Sequence, residues 1–168
     1  SGISMEPSFY NKDKVVLNRI TYRFNDIEID DVVVLNTEKD KNGIIYNMFD
    51  EFSAMIDNVK FKLNLREELN KDNLIKRVVA KPGDTVEIID GKLFVNGKVE
   101  TRETFKGETY EIYDLVEYPL VLKEDEYFVL GDNRENSLDS RAIGPIKKIQ
   151  IKGKVPYRIY PKETRGKI

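Results

Sequence analysis

The stretch TVEIIDGKLFVNGKVE, residues 85–100, has alternating apolar positions interrupted by Asp90-Gly91 and Asn96-Gly97. Asx-Gly pairs supply the positive φ angles that two-residue hairpin turns require, so the stretch predicts a β-meander. Short apolar runs rich in β-branched residues lie on both sides of it, at residues 14–17, 31–35, 74–80, 127–130 and 149–160. No regular alternation of strand and helix patterns appears. We therefore predict a mostly β fold built on antiparallel sheet.

One stretch departs from the strand pattern. Within residues 45–60, apolar side chains such as Met48, Phe52 and Met55 recur at helical spacing, which predicts one short amphipathic helix inserted into the β fold. Its expected role is to cover the β core. Contact with a membrane surface or with a partner protein is the alternative.

Length and composition limit the function. With 168 residues the chain is expected to form one domain over residues 1–168. Residues of about 85–125 are expected to be the hairpin-rich part of this domain. The net charge of −2 gives no basic field, so no nucleic-acid partner is expected. The absence of Cys and His excludes thiol catalysis and Cys/His zinc sites, and we expect no metal and no cofactor. No apolar run approaches the roughly 20 residues of a membrane-spanning helix.

Ser4 lies in the opening stretch SGISMEPSFY, residues 1–10, beside a Met-x-Pro sequence. A serine hydroxyl is a weak nucleophile until a neighbouring base takes its proton. The chain has no histidine, so every Ser-His-Asp arrangement is excluded. The remaining bases are a carboxylate, a tyrosine or a lysine kept neutral by burial.

Lys76 is the lysine that best fits this requirement. Strand alternation places it on one face between Leu74 and Val78, where an inward orientation would strongly desolvate it. The alternative is a lysine at a strand edge, with its stem packed and its ammonium in water. The local pattern does not decide between the two.

The loop GDNRENSLDSR, residues 131–141, is the last unusual stretch. It follows a predicted strand and is dense in Gly, Asp, Asn and Ser, which is typical of a tight structured loop. Such a loop is either a solvated turn or a fixed hydrogen-bond network that orients a catalytic group. Its residue types alone leave both interpretations open.

Three blocks together carry a resemblance to a known family: Ser-Met-Glu-Pro at 4–7, Lys-Arg-Val-Val-Ala-Lys-Pro-Gly-Asp at 76–84, and the loop at 131–141. In this order they resemble bacterial type I signal peptidases of the Gram-positive type, which use a Ser–Lys dyad. The resemblance implies that Ser4 is the nucleophile and Lys76 the general base. It implies that Ser137 hydrogen-bonds and orients the lysine.

The resemblance also implies roles around the dyad. Asp139 and Arg141 match a charged pair beside the site, and Asp132 is expected to be structural. The Ser4 N–H would be one oxyanion donor, whereas a second donor is in doubt because Gly2 stands where some relatives have serine. The residues matching positions near small substrate pockets are Met5, Leu74 and Ile75.

Two departures from the family pattern stand out. Asp30 occupies a position that is commonly glycine in the family, and Ser8 stands where threonine is frequent. The predicted helix at 45–60 looks like an insertion relative to compact relatives, which suggests a dedicated substrate such as a surface protein or a pilin.

The function implied by the resemblance is removal of signal peptides from secreted preproteins by a serine endopeptidase at the cell membrane, with its catalytic domain on the extracytoplasmic face. The chain starts close to its Ser-Met-x-Pro block, and we expect an N-terminal membrane anchor to precede it. Two alternatives stay open. One is a self-cleaving Ser–Lys repressor-like protease, against which the loop at 131–141 argues. The other is a catalytically silent β module that binds secreted chains, against which Ser4 and Lys76 argue.

Overall fold

The structure, a computed structural model, describes residues 3–36, 73–112 and 116–168. The strands of this described part are β1 (Lys14–Asn18), β2 (Val32–Asn36), β3 (Asn73–Ala80), β4 (Thr85–Ile89), β5 (Lys92–Val95), β6 (Lys98–Val99), β7 (Leu120–Val121), β8 (Glu126–Leu130), β9 (Ile146–Lys147), β10 (Ile151–Tyr160) and β11 (Gly166–Lys167). Its α-helices are short, α1 (Thr21–Phe24) and α2 (Ser140–Ile143). Single 3-10 turns lie at Ile3–Met5, Arg134–Asn136, Lys148–Gln150 and Lys162–Thr164.

The strands form two antiparallel sheets. The larger sheet has the order β1-β10-β2-β3-β8-β9, and β11 also pairs with β10. The smaller sheet has the order β6-β5-β4-β7. The predicted mostly β, antiparallel fold is therefore confirmed for the described residues. The helix expected at about 45–60 lies outside them.

The smaller sheet contains the meander that its turn residues predict. Asp90 and Gly91 have φ of 47° and 73°, and Asn96 and Gly97 have φ of 52° and 72°. Two consecutive residues at positive φ are the signature of the type I′ turn, whose twist matches that of the flanking strands. Val86 pairs with Val95 across the first of these hairpins.

The larger sheet has its apolar strands at the centre. β2 lies between β10 and β3, and four of its five residues are buried. One of its faces is covered by a cluster containing Val33, Leu74, Val78 and Val129. The opposite face is covered by the cluster Met5, Phe9, Val32, Val34 and Val155. A strand buried on both faces has a continuous apolar run instead of alternation, which is the pattern of β2.

A third cluster joins the two sheets. It brings Val86 and Leu93 of the smaller sheet against Phe128 and Leu130 of β8. One boundary expected from the sequence is wrong: residues 149–150 belong to a 3-10 turn, and β10 begins at Ile151. Ile149 is 88% exposed, so its apolar side chain has no inward face to occupy.

Candidate active site

Ser4 lies on the 3-10 turn Ile3–Met5 and is only 5% exposed. The turn is closed by the Glu6 N–H, which donates to the Ile3 carbonyl at 3.2 Å, and by the Phe9 N–H, which donates to the Met5 carbonyl at 2.8 Å. Met5 and Phe9 are both buried in the core cluster that covers one face of β2. Burial of these two apolar side chains therefore fixes the serine turn against the larger sheet.

Lys76 lies in the middle of β3 and is fully buried. It pairs with Val33 of β2, and the neighbours on its face, Leu74 and Val78, belong to the same apolar cluster as Val33. The predicted inward face is confirmed, and the alternative of a wet lysine at a strand edge is wrong. The Lys76 Nζ lies 2.8 Å from Ser4 Oγ in a buried hydrogen bond that joins residues 72 positions apart.

Asn133 holds the serine turn from the other side. Its backbone N–H donates to the Ser4 carbonyl at 2.9 Å, and its side-chain Nδ2 donates to the Ile3 carbonyl at 3.1 Å. Sequence reasoning grouped Asn133 with the loop at 131–141 but gave it no role. An amide side chain that reaches two residues of a distant segment leaves no local pattern by which it could be found.

A glycine is required at position 131 because Ser4 and Ser137 lie very close to its backbone. A Cβ at this position would lie 2.5 Å from the Ser4 carbonyl oxygen, and closer still to Ser137 Oγ. Because real Cβ atoms do not approach other atoms so closely, the three segments meet only if residue 131 has no side chain. The first residue of the loop is therefore a glycine for steric reasons.

Ser137 is buried beside this contact, with 1% of its surface exposed. The resemblance implied a hydrogen bond from its hydroxyl to Lys76, but that contact is not made. Within the described residues no well-aligned hydrogen bond of the Ser137 Oγ is found, but the hydroxyl lies near enough to the Asp139 carboxylate to help lower the pKa of that carboxyl. The Oγ packs instead against Gly131, close to the Ser4 carbonyl.

Asp139 and Arg141 form a buried ion pair in the same loop. Arg141 Nε donates to Asp139 Oδ1 at 2.8 Å and Nη2 donates to Oδ2 at 2.9 Å. Burial alone would raise the pKa of Asp139, but the charge and hydrogen bonds of Arg141 and the Gly131 N–H outweigh burial and hold the pKa below its ordinary value. Burial would lower the pKa of Arg141, and Asp139 raises it instead. The Arg141 Nη2 also donates to the Arg134 carbonyl at 2.7 Å, so the pair fixes the loop backbone.

Arg77, the residue after Lys76, forms a second two-point ion pair. Its Nε and Nη2 donate to the two carboxylate oxygens of Asp132 at 2.9 and 2.8 Å. Arg77 also donates to the Asp30 carbonyl at 3.1 Å and to Ser8 Oγ at 3.3 Å. Burial would lower the pKa of Arg77, but Asp132 raises it above its ordinary value. Asp132 thus ties β3 to the loop that holds Ser4.

The residues expected near substrate pockets do not share one surface. Met5 lies in the cluster against which Ile75 packs, on one face of the larger sheet. Leu74 lies in the cluster on the opposite face, on the same side as Lys76. Adjacent residues of a strand point to opposite faces, so Leu74 and Ile75 are separated by the sheet itself.

Comparisons with known proteins identify the family. A model of the family described as "Signal peptidase, peptidase S26" matches residues 1–160. Signal peptidase I P of Bacillus subtilis subsp. natto is 30% identical over 159 residues, which cover 90% of this chain and 70% of that protein. Signal peptidase IB of Staphylococcus aureus is 31% identical over 174 residues, covering 95% of this chain and 75% of that protein.

Two further similarities are more limited in coverage or identity. Probable signal peptidase I-2 of Synechocystis is 31% identical over 158 residues, covering 94% of this chain and 60% of that protein. The crystal structure of a signal peptidase I from Enterococcus faecalis V583 has 22% sequence identity and a TM-score of 0.49, covering 78% of this chain and 97% of that one.

The chain belongs to the signal peptidase family, peptidase S26, and is a serine endopeptidase. The family resemblance seen in its three sequence blocks is thereby confirmed. The Gram-positive subgroup and the N-terminal membrane anchor stay predictions. No helix among the described residues is both long and apolar enough to span a bilayer.

Proposed function

We propose that the chain cleaves signal peptides from preproteins, with Ser4 as nucleophile and Lys76 as general base. The observation that carries this proposal is the buried 2.8 Å contact between Lys76 Nζ and Ser4 Oγ. A general base must lie within hydrogen-bond reach of the proton that it removes, and this distance satisfies that requirement. The proposal takes residues 1–168 as one catalytic domain.

The reaction would proceed by acyl transfer. A neutral Lys76 amine takes the Ser4 proton while Ser4 Oγ attacks the scissile carbonyl, and the resulting ammonium protonates the leaving amine. The amine then activates the water that hydrolyses the acyl-enzyme. The role requires a neutral amine, and Lys76 is fully buried on the face of β3 that carries Leu74 and Val78.

The Ser4 backbone N–H would stabilise the developing oxyanion. Such a donor typically contributes about 10²- to 10³-fold to the rate of acyl transfer, provided that its direction is fixed beforehand. The fixed direction would come from Asn133, which binds the carbonyls of both Ile3 and Ser4. The Asp139–Arg141 and Arg77–Asp132 pairs would act indirectly, because they hold the loop at 131–141 and strand β3 in fixed positions.

The proposed substrate is an extended segment ending in Ala-x-Ala, the end of a secretory signal peptide. The preference for small side chains at the cut is what the family resemblance implies, with Met5 and Ile75, which belong to one packed cluster, near the cut. Such substrates are membrane-bound preproteins, and the site of action would be the extracytoplasmic face of the cell membrane. A dedicated surface-protein or pilin substrate remains part of the proposal, tied to the insertion expected at about 45–60.

Cleavage of a peptide whose signal part ends in Ala-x-Ala, measured in detergent by mass spectrometry, tests the proposal. The unaltered chain should cut after the second alanine. Ser4→Ala and Lys76→Met should each lower the rate by more than about 10³-fold, because nucleophile and base act as one unit. Lys81→Met is the matched control, since Lys81 lies on the same segment but is exposed and pairs with Glu28.

The outcomes separate the parts of the proposal. Cleavage that survives Lys76→Met would reject this lysine as the base. An unaltered chain that neither cleaves the peptide nor is labelled at Ser4 by a serine-acylating probe would reject the peptidase assignment for this site.

A further inference from the structure

Residues 100–109, here called the clasp, lie against the loop that holds Ser4. The Lys106 N–H donates to the Asp132 carbonyl at 2.7 Å, and the Lys106 carbonyl accepts from the Arg134 N–H at 3.0 Å. These two hydrogen bonds flank Asn133 as a parallel bridge between Lys106 and Asn133. The clasp therefore supports the residue that binds the Ser4 and Ile3 carbonyls.

The clasp is anchored by a buried carboxylate. The Glu100 side chain is 2% exposed and lies 2.7 Å from Arg134 Nη1, whose side chain is 1% exposed. Arg102, which is 19% exposed, lies 2.7 Å from the other Glu100 oxygen. The Arg134 guanidinium also stacks 4.0 Å from the centre of the Phe105 ring and donates to Thr109 Oγ1. Both ends of the clasp are thus tied to the loop at Arg134.

The clasp also reaches the segment that carries the nucleophile. Lys106 Nζ lies 2.8 Å from Glu6 Oε2, and Ser8 Oγ donates to the Thr104 carbonyl at 3.3 Å. Glu6 belongs to the same Ser4–Pro7 block as the nucleophile, so its pairing with Lys106 ties the clasp to this block. Lys106 therefore supports the serine turn from two neighbours: its backbone binds the two residues that flank Asn133, and its side chain pairs with Glu6, the residue that follows the turn.

We propose that the clasp positions Ser4 and that Lys106 is its positioning residue. The inference rests on the proposed function of Ser4. The turn Ile3–Met5 has its carbonyls held by Asn133 and the residue after it held by the Lys106 ammonium, so Oγ is kept at its 2.8 Å distance from Lys76. Losing the Glu6–Lys106 pair would let the turn move, and small misplacements of a reacting atom lower the rate more than they lower binding.

Steady-state kinetics of Lys106→Met test this inference without disturbing the fold, because the backbone bonds of residue 106 remain. We expect kcat to fall about three- to tenfold while KM stays within about twofold. The swapped pair, Glu6→Lys with Lys106→Glu, should recover most of the lost kcat, whereas each single change should not. Lys81→Met removes a comparably exposed lysine from an ion pair with Glu28, away from Ser4, and should leave kcat unchanged.

Hydrogen exchange at the Glu6 amide gives a second readout that needs no turnover. This N–H closes the serine turn by its bond to the Ile3 carbonyl, so Lys106→Met should speed its exchange while exchange at the Asn96 amide stays unchanged. Unchanged kcat in Lys106→Met, or unchanged exchange at Glu6, would overturn the positioning role. A protein that cleaves no substrate but shows the faster exchange would reject the proposed function and still support the clasp.

Discussion

Arg77 and Asp132 form a two-point ion pair with bonds of 2.9 and 2.8 Å, and both side chains are almost fully buried. Arg77 follows the proposed base directly, and Asp132 directly precedes Asn133, which binds the Ser4 carbonyl. The pair therefore connects the residue after Lys76 with the residue before Asn133, and through Asn133 it connects the two halves of the proposed dyad. A movement of β3 relative to the loop would have to break it.

Replacing Arg77 should destabilise the protein, and two different replacements distinguish the contribution of its charge from that of its two-point hydrogen bonding. Arg77→Met leaves the buried Asp132 carboxylate unpaired and should lower the free energy of unfolding by about 3 kcal/mol or more. Arg77→Lys keeps the charge but loses the two-point fork, so the loss should be smaller, about 1–2 kcal/mol. Urea unfolding measures both, with Lys148→Met as the control, since Lys148 and Asp26 form an exposed pair at 3.9 Å. Equal losses for Met and Lys would contradict the geometric account.

Adding a methyl group at Gly131 should displace the serine turn and weaken the site. In Gly131→Ala the new Cβ would overlap Ser137 Oγ and the Ser4 carbonyl, so the serine turn must shift away from Lys76. We expect loss of about 1–3 kcal/mol of stability, as for other overpacked positions. Peptide cleavage should fall by more than about tenfold. Gly166→Ala is the matched control, because nothing lies within 4 Å of the point that its methyl group would occupy. A Gly131→Ala enzyme with normal kcat would show that the turn accommodates the methyl group.

Strand positions were predictable from the sequence where local pattern decides them. The Asx-Gly turns and the alternation around Lys76 correctly indicated the meander and the inward lysine. Ile149 was placed wrongly in a strand, because an apolar residue beside a strand pattern carries no signal that it is exposed. Pairing of β10 between β1 and β2 was not predictable, since it joins segments more than 100 residues apart.

The site was predictable only in part, because most of its contacts also join residues that are far apart in the sequence. The residues of the proposed dyad were predicted by eliminating other bases and by resemblance. The supporting contacts of Asn133, Glu100 and Lys106 depend on side chains meeting across loops, and no periodicity encodes such contacts. Ser137 illustrates the opposite case. The resemblance implied a hydrogen bond between its hydroxyl and Lys76, and this hydrogen bond is not made in the structure.

Asp30 adopts a φ of 76°, in the left-handed region that glycine occupies without strain. Its carboxylate is paired with Arg102 at 2.7 Å, so a substitution changes both backbone and ion pair. Asp30→Gly and Asp30→Ala both lose the ion pair, and their difference isolates the backbone. The glycine variant should be more stable than the alanine variant by about 1 kcal/mol in urea unfolding. An alanine variant of equal or greater stability would mean that residue 30 relaxes out of this conformation at little cost.

Asp139 should make the protein sensitive to acid. Its carboxyl has an ordinary pKa of 3.8, and in the folded state the pKa is lower because Arg141 outweighs the cost of burial. A group whose pKa falls on folding contributes stability above its unfolded pKa, and this contribution is lost as the pH falls through the folded value. The difference in unfolding free energy between the unaltered chain and Asp139→Asn should therefore be constant above about pH 5 and shrink below about pH 4. Carbon-13 NMR of the Asp139 carboxyl in the unaltered chain gives the same answer without a variant, and a midpoint above 3.8 would mean that burial outweighs Arg141.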